Sequence, residues 1–99
     1  MIDELLDALK VNYEELTSQE RREIRNLYVK AQGGECYFCG DQLSEEPRQE
    51  LKDLPIDWSL FPSGFLDYPV HLHHDHKTKL CEGAVHSLCN AIMWNYWRR

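Results

Sequence analysis

No stretch of this 99-residue chain approaches the ~18 consecutive apolar residues that a membrane-spanning helix needs. The start, Met1-Ile2-Asp3-Glu4, lacks the cationic head of a secretory signal, so secretion is not expected. There is no internal repeat and no low-complexity tract. Apolar residues make up 42% of the chain and charged ones 28%, which argues against disorder. Basic residues are outnumbered, 11 against 17 acidic ones, and the net charge of −6 speaks at first sight against a nucleic-acid partner. The chain is also short of core. A single domain of this size buries only about 60–65% of its unfolded surface, so something beyond apolar packing should staple it. Four cysteines and five histidines, the latter all between His71 and His86, are the candidates. Without secretion, disulfides are the poorer reading of the cysteines, and metal binding or plain burial is the better one.

The charge is unevenly placed. Residues 1–20 carry −5 and residues 41–60 carry −4, whereas residues 21–40 carry +2 and residues 61–99 carry +1. The acidity therefore belongs to the amino-terminal segment and a middle loop, while the segments that hold the cysteines and histidines are neutral to basic. A polyanionic partner remains compatible with the chain, bound in a salt-sensitive way.

Ile2, Leu5, Leu6 and Leu9 have the spacing of an amphipathic helix. Thr17 and Glu20 form a capping-box pattern ahead of Ile24, Leu27, Tyr28 and Ala31, and Gly33-Gly34 stops that second helix. Both apolar stripes read as core packing. Arg21, Arg22, Arg25 and Lys30 lie along the less apolar faces, either as a solvated surface or as a DNA contact. Residues 41–68 look like an insertion, with a short polar helix expected over Ser44–Lys52 and an apolar run from Trp58 to Tyr68 folding back over the core. A strand over Pro69–His73, a second over Gly83–Ser87 and a closing helix over Leu88–Trp97 complete the expected order. Trp94, Tyr96 and Trp97 are read as core aromatics.

Cys36-Tyr37-Phe38-Cys39-Gly40 has the spacing of a zinc knuckle, in which two thiolates three apart on a tight turn reach one ion. His86-Ser87-Leu88-Cys89 offers a second pair with the same gap at the start of the last helix. Together Cys36, Cys39, His86 and Cys89 make a Cys3His set for a structural zinc, with Cys81 as a competitor for the place of His86. The tract Leu72-His73-His74-Asp75-His76-Lys77-Thr78 is the second unusual feature. Neutral imidazole ligates divalent ions, and imidazole near neutrality takes a proton from water. Hydrolysis of a phosphodiester needs both an activated water and neutralised charge.

The order Cys36-x-x-Cys39, then Leu72 to Thr78, then Val85-His86-Ser87-Leu88-Cys89-Asn90, resembles the HNH (His-Me finger, ββα-metal) endonucleases. The similarity is to the branch of phage recombination endonuclease VII and small phage or prophage HNH nicking nucleases. It spans about Glu35 to Asn95 and leaves residues 1–16 and 41–68 without motif support. The resemblance implies that His74 is the general base and that His73 and Asn90 hold a catalytic divalent ion, with His76 a further ligand or phosphate contact. In another frame Asp75-His76 is the working pair. Where the family has Asp, this chain has His73, a softer ligand that favours Mn2+, Ni2+ or Zn2+ over Mg2+. The family's Arg is replaced near Ala84-Val85, so a cationic contact is expected from Lys77, Lys79 or Arg98-Arg99.

The expected architecture is a single α+β domain over residues 1–99. It has a helical lead-in over 1–32 and a zinc-stapled, treble-clef-like ββα-metal core over 33–99 that carries the 41–68 insertion. The expected function is metal-dependent cleavage of DNA, by a monomer that nicks or a homodimer that makes paired cuts. The resemblance also implies the cytoplasm of a bacterium or of a phage-infected bacterial cell. The rival expectation is a non-catalytic zinc-binding module that contacts nucleic acid or protein. It explains the Cys3His set equally well but leaves His73, His74, His76 and Asn90 without a task.

Overall fold

The computed structural model describes residues 2–97, with side chains from Glu4 onward. Four helices and one two-stranded sheet form a small α+β domain: α1 (Ile2–Ala8), α2 (Ser18–Ala31), α3 (Gln49–Lys52), β1 (Val70–His74), β2 (Cys81–His86) and α4 (Ser87–Trp97). Among the described residues no helix is long and apolar enough to cross a membrane.

Helix α2 begins where the capping box places it. The Thr17 hydroxyl accepts from the Glu20 amide at 3.1 Å, and the Glu20 carboxylate accepts from the Thr17 amide at 2.9 Å. It ends in a Schellman turn. Gly33 N–H donates to the Lys30 carbonyl and Gly34 N–H to that of Val29, with Gly33 at φ +65°, a conformation that glycine adopts without a Cβ clash. The helix lies across both strands. Of its apolar stripe only Tyr28 is fully buried, while Leu27 stays 40% exposed.

The hairpin is antiparallel, with Val70 opposite His86 and His73 opposite Gly83. A register shift between His73 and His74 then sets His74 opposite Cys81. The lead-in chain lies along the turn end of this hairpin. Asn12 and Leu80 form an antiparallel bridge, Cys81 N–H donates to the Val11 carbonyl, and Tyr13 N–H donates to that of Lys79. Helix α4 follows β2 with no intervening loop and buries Ser87, Cys89, Asn90, Ala91, Ile92 and Met93. The core is small: Leu9, Tyr28, Leu43, Ala84, Val85 and Met93 pack with Cys36, Cys81 and Cys89.

Three expectations need correction. The polar helix expected over Ser44–Lys52 is only α3, because Pro47 disfavours helical backbone at Glu46 and the helix starts after Arg48. The strands run 70–74 and 81–86 rather than 69–73 and 83–87. Tyr96 and Trp97 are about half exposed at the end of α4, 45% and 53%, instead of filling the core. Arg98 and Arg99 lie outside the described residues.

Candidate metal centre and the adjoining cleft

The knuckle forms directly after α2. Gly40 N–H donates to the Cys36 carbonyl, Gly40 itself sits at φ +80°, and the Cys39 amide points at the Cys36 sulfur 3.5 Å away. This turn faces the junction of β2 and α4, where His86 ends the strand and Cys89 lies in the first helical turn. One ligand atom from each of Cys36, Cys39, His86 and Cys89 lies within 4.8 Å of all the others. A tetrahedral zinc with Zn–S of about 2.3 Å and Zn–N of about 2.0–2.1 Å requires S···N separations of about 3.5 Å. His86 Nδ1 is 3.4 Å from the Cys39 sulfur and 3.6 Å from that of Cys89.

The outer shell settles the tautomer. His86 Nε2 lies 3.0 Å from the Gln42 carbonyl and 2.9 Å from that of Glu45. Carbonyls only accept, so Nε2 carries the proton and Nδ1 turns its lone pair into the cluster. Hydrogen bonding from Cys89 holds Cys36 down to about 4 against the effect of burial, and the shared proton pushes Cys89 far up. A divalent cation would replace those protons and neutralise the crowded thiolates. These four side chains could thus hold a metal ion, and the geometry is compatible with structural zinc. Cys81 does not belong to the set. It is fully buried at the far end of β2, where the Tyr28 hydroxyl donates to its carbonyl and burial raises its thiol to about 11.

A cleft of about 560 Å³ opens on the other side of the hairpin. Helix α2 contributes Arg21, Arg22 and Arg25, β1 contributes His71 and His74, the turn contributes His76, and α4 contributes Asn90 and Trp94. Among the described residues no Asp or Glu lines it, although acids outnumber bases in the chain. None of the three arginines forms an ion pair among the described residues. Burial, then the charges of His76, His73, Lys79 and Arg21, push His74 down to about 4, so its imidazole is neutral with a lone pair at neutral pH. His76 is lowered by burial and by Lys79 and His73, with Asp75 opposing.

The structure brings His74, His76 and Asn90 to this cleft, but not His73. The His73 ring is buried away from it, with Nε2 2.9 Å from a Glu82 carboxylate oxygen, the Tyr37 ring alongside and, among the described residues, no hydrogen-bond partner at Nδ1. His73 and His74 part at the register shift between them: the His74 ring lines the cleft and the His73 ring does not. The residue that meets Asn90 is His71, with Nδ1 3.1 Å from the Asn90 amide nitrogen. Burial lowers His71 as well, and the Arg25 charge acts in the same direction. Asp75 serves the turn: its carboxylate accepts from the amides of Lys77 and Thr78. Among the described residues the cleft histidines do not converge as a metal cluster; only the Cys3His set does.

Two features escaped the sequence reading. His71 carries no motif signal, and the Gln42 and Glu45 carbonyls that orient His86 are backbone atoms, which leave no trace in side-chain patterns. Comparison of the chain with protein-family profiles, with curated proteins and with solved structures gave no match.

Proposed function

We propose that the cleft is the active site of an HNH-type, metal-dependent endonuclease acting on DNA, built on a zinc-stapled ββα-metal core. One observation carries this reading: in a chain of net charge −6, one cleft is lined by three arginines and a neutral imidazole, and among the described residues no carboxylate lines it and none of those arginines has an ion-pair partner. Such a cleft suits a polyanion; His74 offers a free lone pair, and the negative charge of a bound phosphate would raise its depressed basicity toward the range a general base needs.

His74 is the general base of this reading. Arg22 and Arg25 provide the cationic phosphate contact that the family resemblance leaves vacant. The Asn90 amide N–H donates to His71 Nδ1 in the cleft; with that amide turned to present its oxygen, His71 and Asn90 would fit a divalent ion better than His73, whose ring is engaged with Glu82. An imidazole among the ligands would favour Mn2+, Ni2+ or Zn2+ over Mg2+. Held by His71 and Asn90, an ion would supply charge stabilisation at the scissile phosphate and leaving oxygen.

The competing reading is a non-catalytic zinc module. It is favoured by the Cys3His set being the one group of converging ligands among the described residues. A supercoiled-plasmid assay separates the two. Zinc-replete protein is titrated with Mg2+, Mn2+, Ni2+ and excess Zn2+, with His74→Ala alongside. Ion-dependent conversion to open circles should fall about 10²- to 10⁴-fold in the variant, with zinc content and melting temperature retained. Intact plasmid with every ion, from folded zinc-loaded protein, favours the binding module.

A further inference from the structure

We propose that Tyr13, in the lead-in segment before α2, is the positioning residue for His74, and that Arg21 clamps it from behind. The functional half of this inference rests on His74 being the base; the ring-placement half does not. Tyr13 and His74 rings stack with centroids 3.9 Å apart and planes only 10° from parallel. The Arg21 guanidinium carbon lies 3.9 Å from the centroid of the same Tyr13 ring. Two groups that close cannot share one face, so the phenol is held between a guanidinium and an imidazole.

Backbone bonds fix this sandwich to the hairpin that carries His74. Tyr13 N–H donates to the Lys79 carbonyl at 2.7 Å, and Cys81 N–H donates to that of Val11 at 2.9 Å. Arg21 Nε donates to the Tyr13 carbonyl at 3.1 Å. Tyr13 and His74 therefore keep their spacing if the hairpin shifts as a unit. The stack also has a vacancy to fill. A general base is ordinarily oriented by a hydrogen bond from a third group. No hydrogen bond to the His74 ring occurs among the described residues, and the second side-chain torsion of histidine is broad. Ring contacts are what orients it: Tyr13 on one side and His76, at 4.4 Å, beside it. The amino-terminal segment, which bears no catalytic motif, is in this way part of the site.

The test compares Tyr13→Phe, which keeps the stack, with Tyr13→Leu, which keeps apolar bulk and loses it, in the zinc-loaded full chain. Carbon-edited NMR of the His74 ring protons reads ring placement without turnover. These signals should move downfield, out of the ring-current shield, in Tyr13→Leu and stay in place in Tyr13→Phe. Nicking should lose about 10- to 100-fold in kcat at unchanged KM in the Leu variant and recover in the Phe variant. His74 signals that do not move in Tyr13→Leu overturn the proposal, as does an equal kcat loss in both variants. If Tyr13→Leu does not fold, Arg21→Gln opens the back of the phenol without touching the core and must shift the same His74 signals; unmoved signals there also overturn it. Wild-type protein that cuts no substrate, with the NMR pattern as expected, overturns the nuclease reading and the functional half of this inference, while leaving the ring placement standing.

Discussion

With zinc in the Cys3His set, removing the ion or the His86 imidazole should unfold the domain rather than loosen it locally. A chain of 99 residues is expected to have about 5–15 kcal/mol of total stability. Structural zinc in small domains contributes an apparent free energy of about 10–16 kcal/mol near neutral pH. The metal term is thus as large as the whole stability, and Cys36 and Cys89 are themselves members of the core cluster. His86→Ala adds a second loss. The ring is 2% exposed, and its Nε2–H serves the carbonyls of both Gln42 and Glu45. The Gln42 carbonyl keeps the Glu45 amide as a donor, so only the Glu45 carbonyl loses its partner, a loss of at most about 1–3 kcal/mol before the weakened metal affinity is counted. The assay is far-UV circular dichroism during an EDTA titration at 25 °C, with released zinc followed by a chromogenic chelator. Helical signal and zinc should leave together, one ion per chain, and return on adding one equivalent of zinc. Protons compete with zinc for the thiolates, so lowering the pH should shift the transition to less EDTA. Cys81→Ala is the control and should stay zinc-loaded. A chelated protein that still melts cooperatively at the temperature of the loaded one would refute the reasoning. So would a Cys81→Ala variant that loses its zinc.

Arg22→Ala and Arg25→Ala should each weaken DNA binding regardless of sequence and reduce the slope of log K against log salt by about 1, read by fluorescence anisotropy from low to moderate salt; unchanged slopes would remove α2 from the interface. Asn90→Ala and His71→Ala should change the ion requirement of nicking, whereas His73→Gln should cost stability and leave that requirement as it is; an altered ion preference in His73→Gln alone would restore His73 as the ligand. Gly83→Ala would place a Cβ 2.7 Å from the Tyr37 ring, and the forced shift should cost about 1–3 kcal/mol, or roughly 4–8 °C of melting temperature per kcal/mol.

The limits of α2 were legible because capping is a local code: Thr17, Glu20, Gly33 and Gly34 act on backbone groups three to five residues away. The metal set was legible for the same reason. Cys36 and Cys39 share one turn, and His86 and Cys89 flank one strand-to-helix junction, so each pair is fixed by its own spacing. What spacing could not give is the partnership between pairs of distant residues. Whether His71 or His73 faces Asn90 depends on the hairpin's register and on how α4 packs against it, and the shift between His73 and His74 is invisible in the residue pattern. The insertion supplies its outer-shell acceptors through backbone carbonyls, which any residue carries. The lead-in supplies Tyr13 and the arginines of α2 because Asn12 pairs with Leu80, a contact between segments far apart in the chain. The sequence by itself determined the helix ends, the knuckle and a metal set made of two local pairs. Tertiary structure alone decided which histidine meets Asn90, which faces build the cleft and what orients His74, because those contacts depend on packing between elements and not on the periodicity within any one of them.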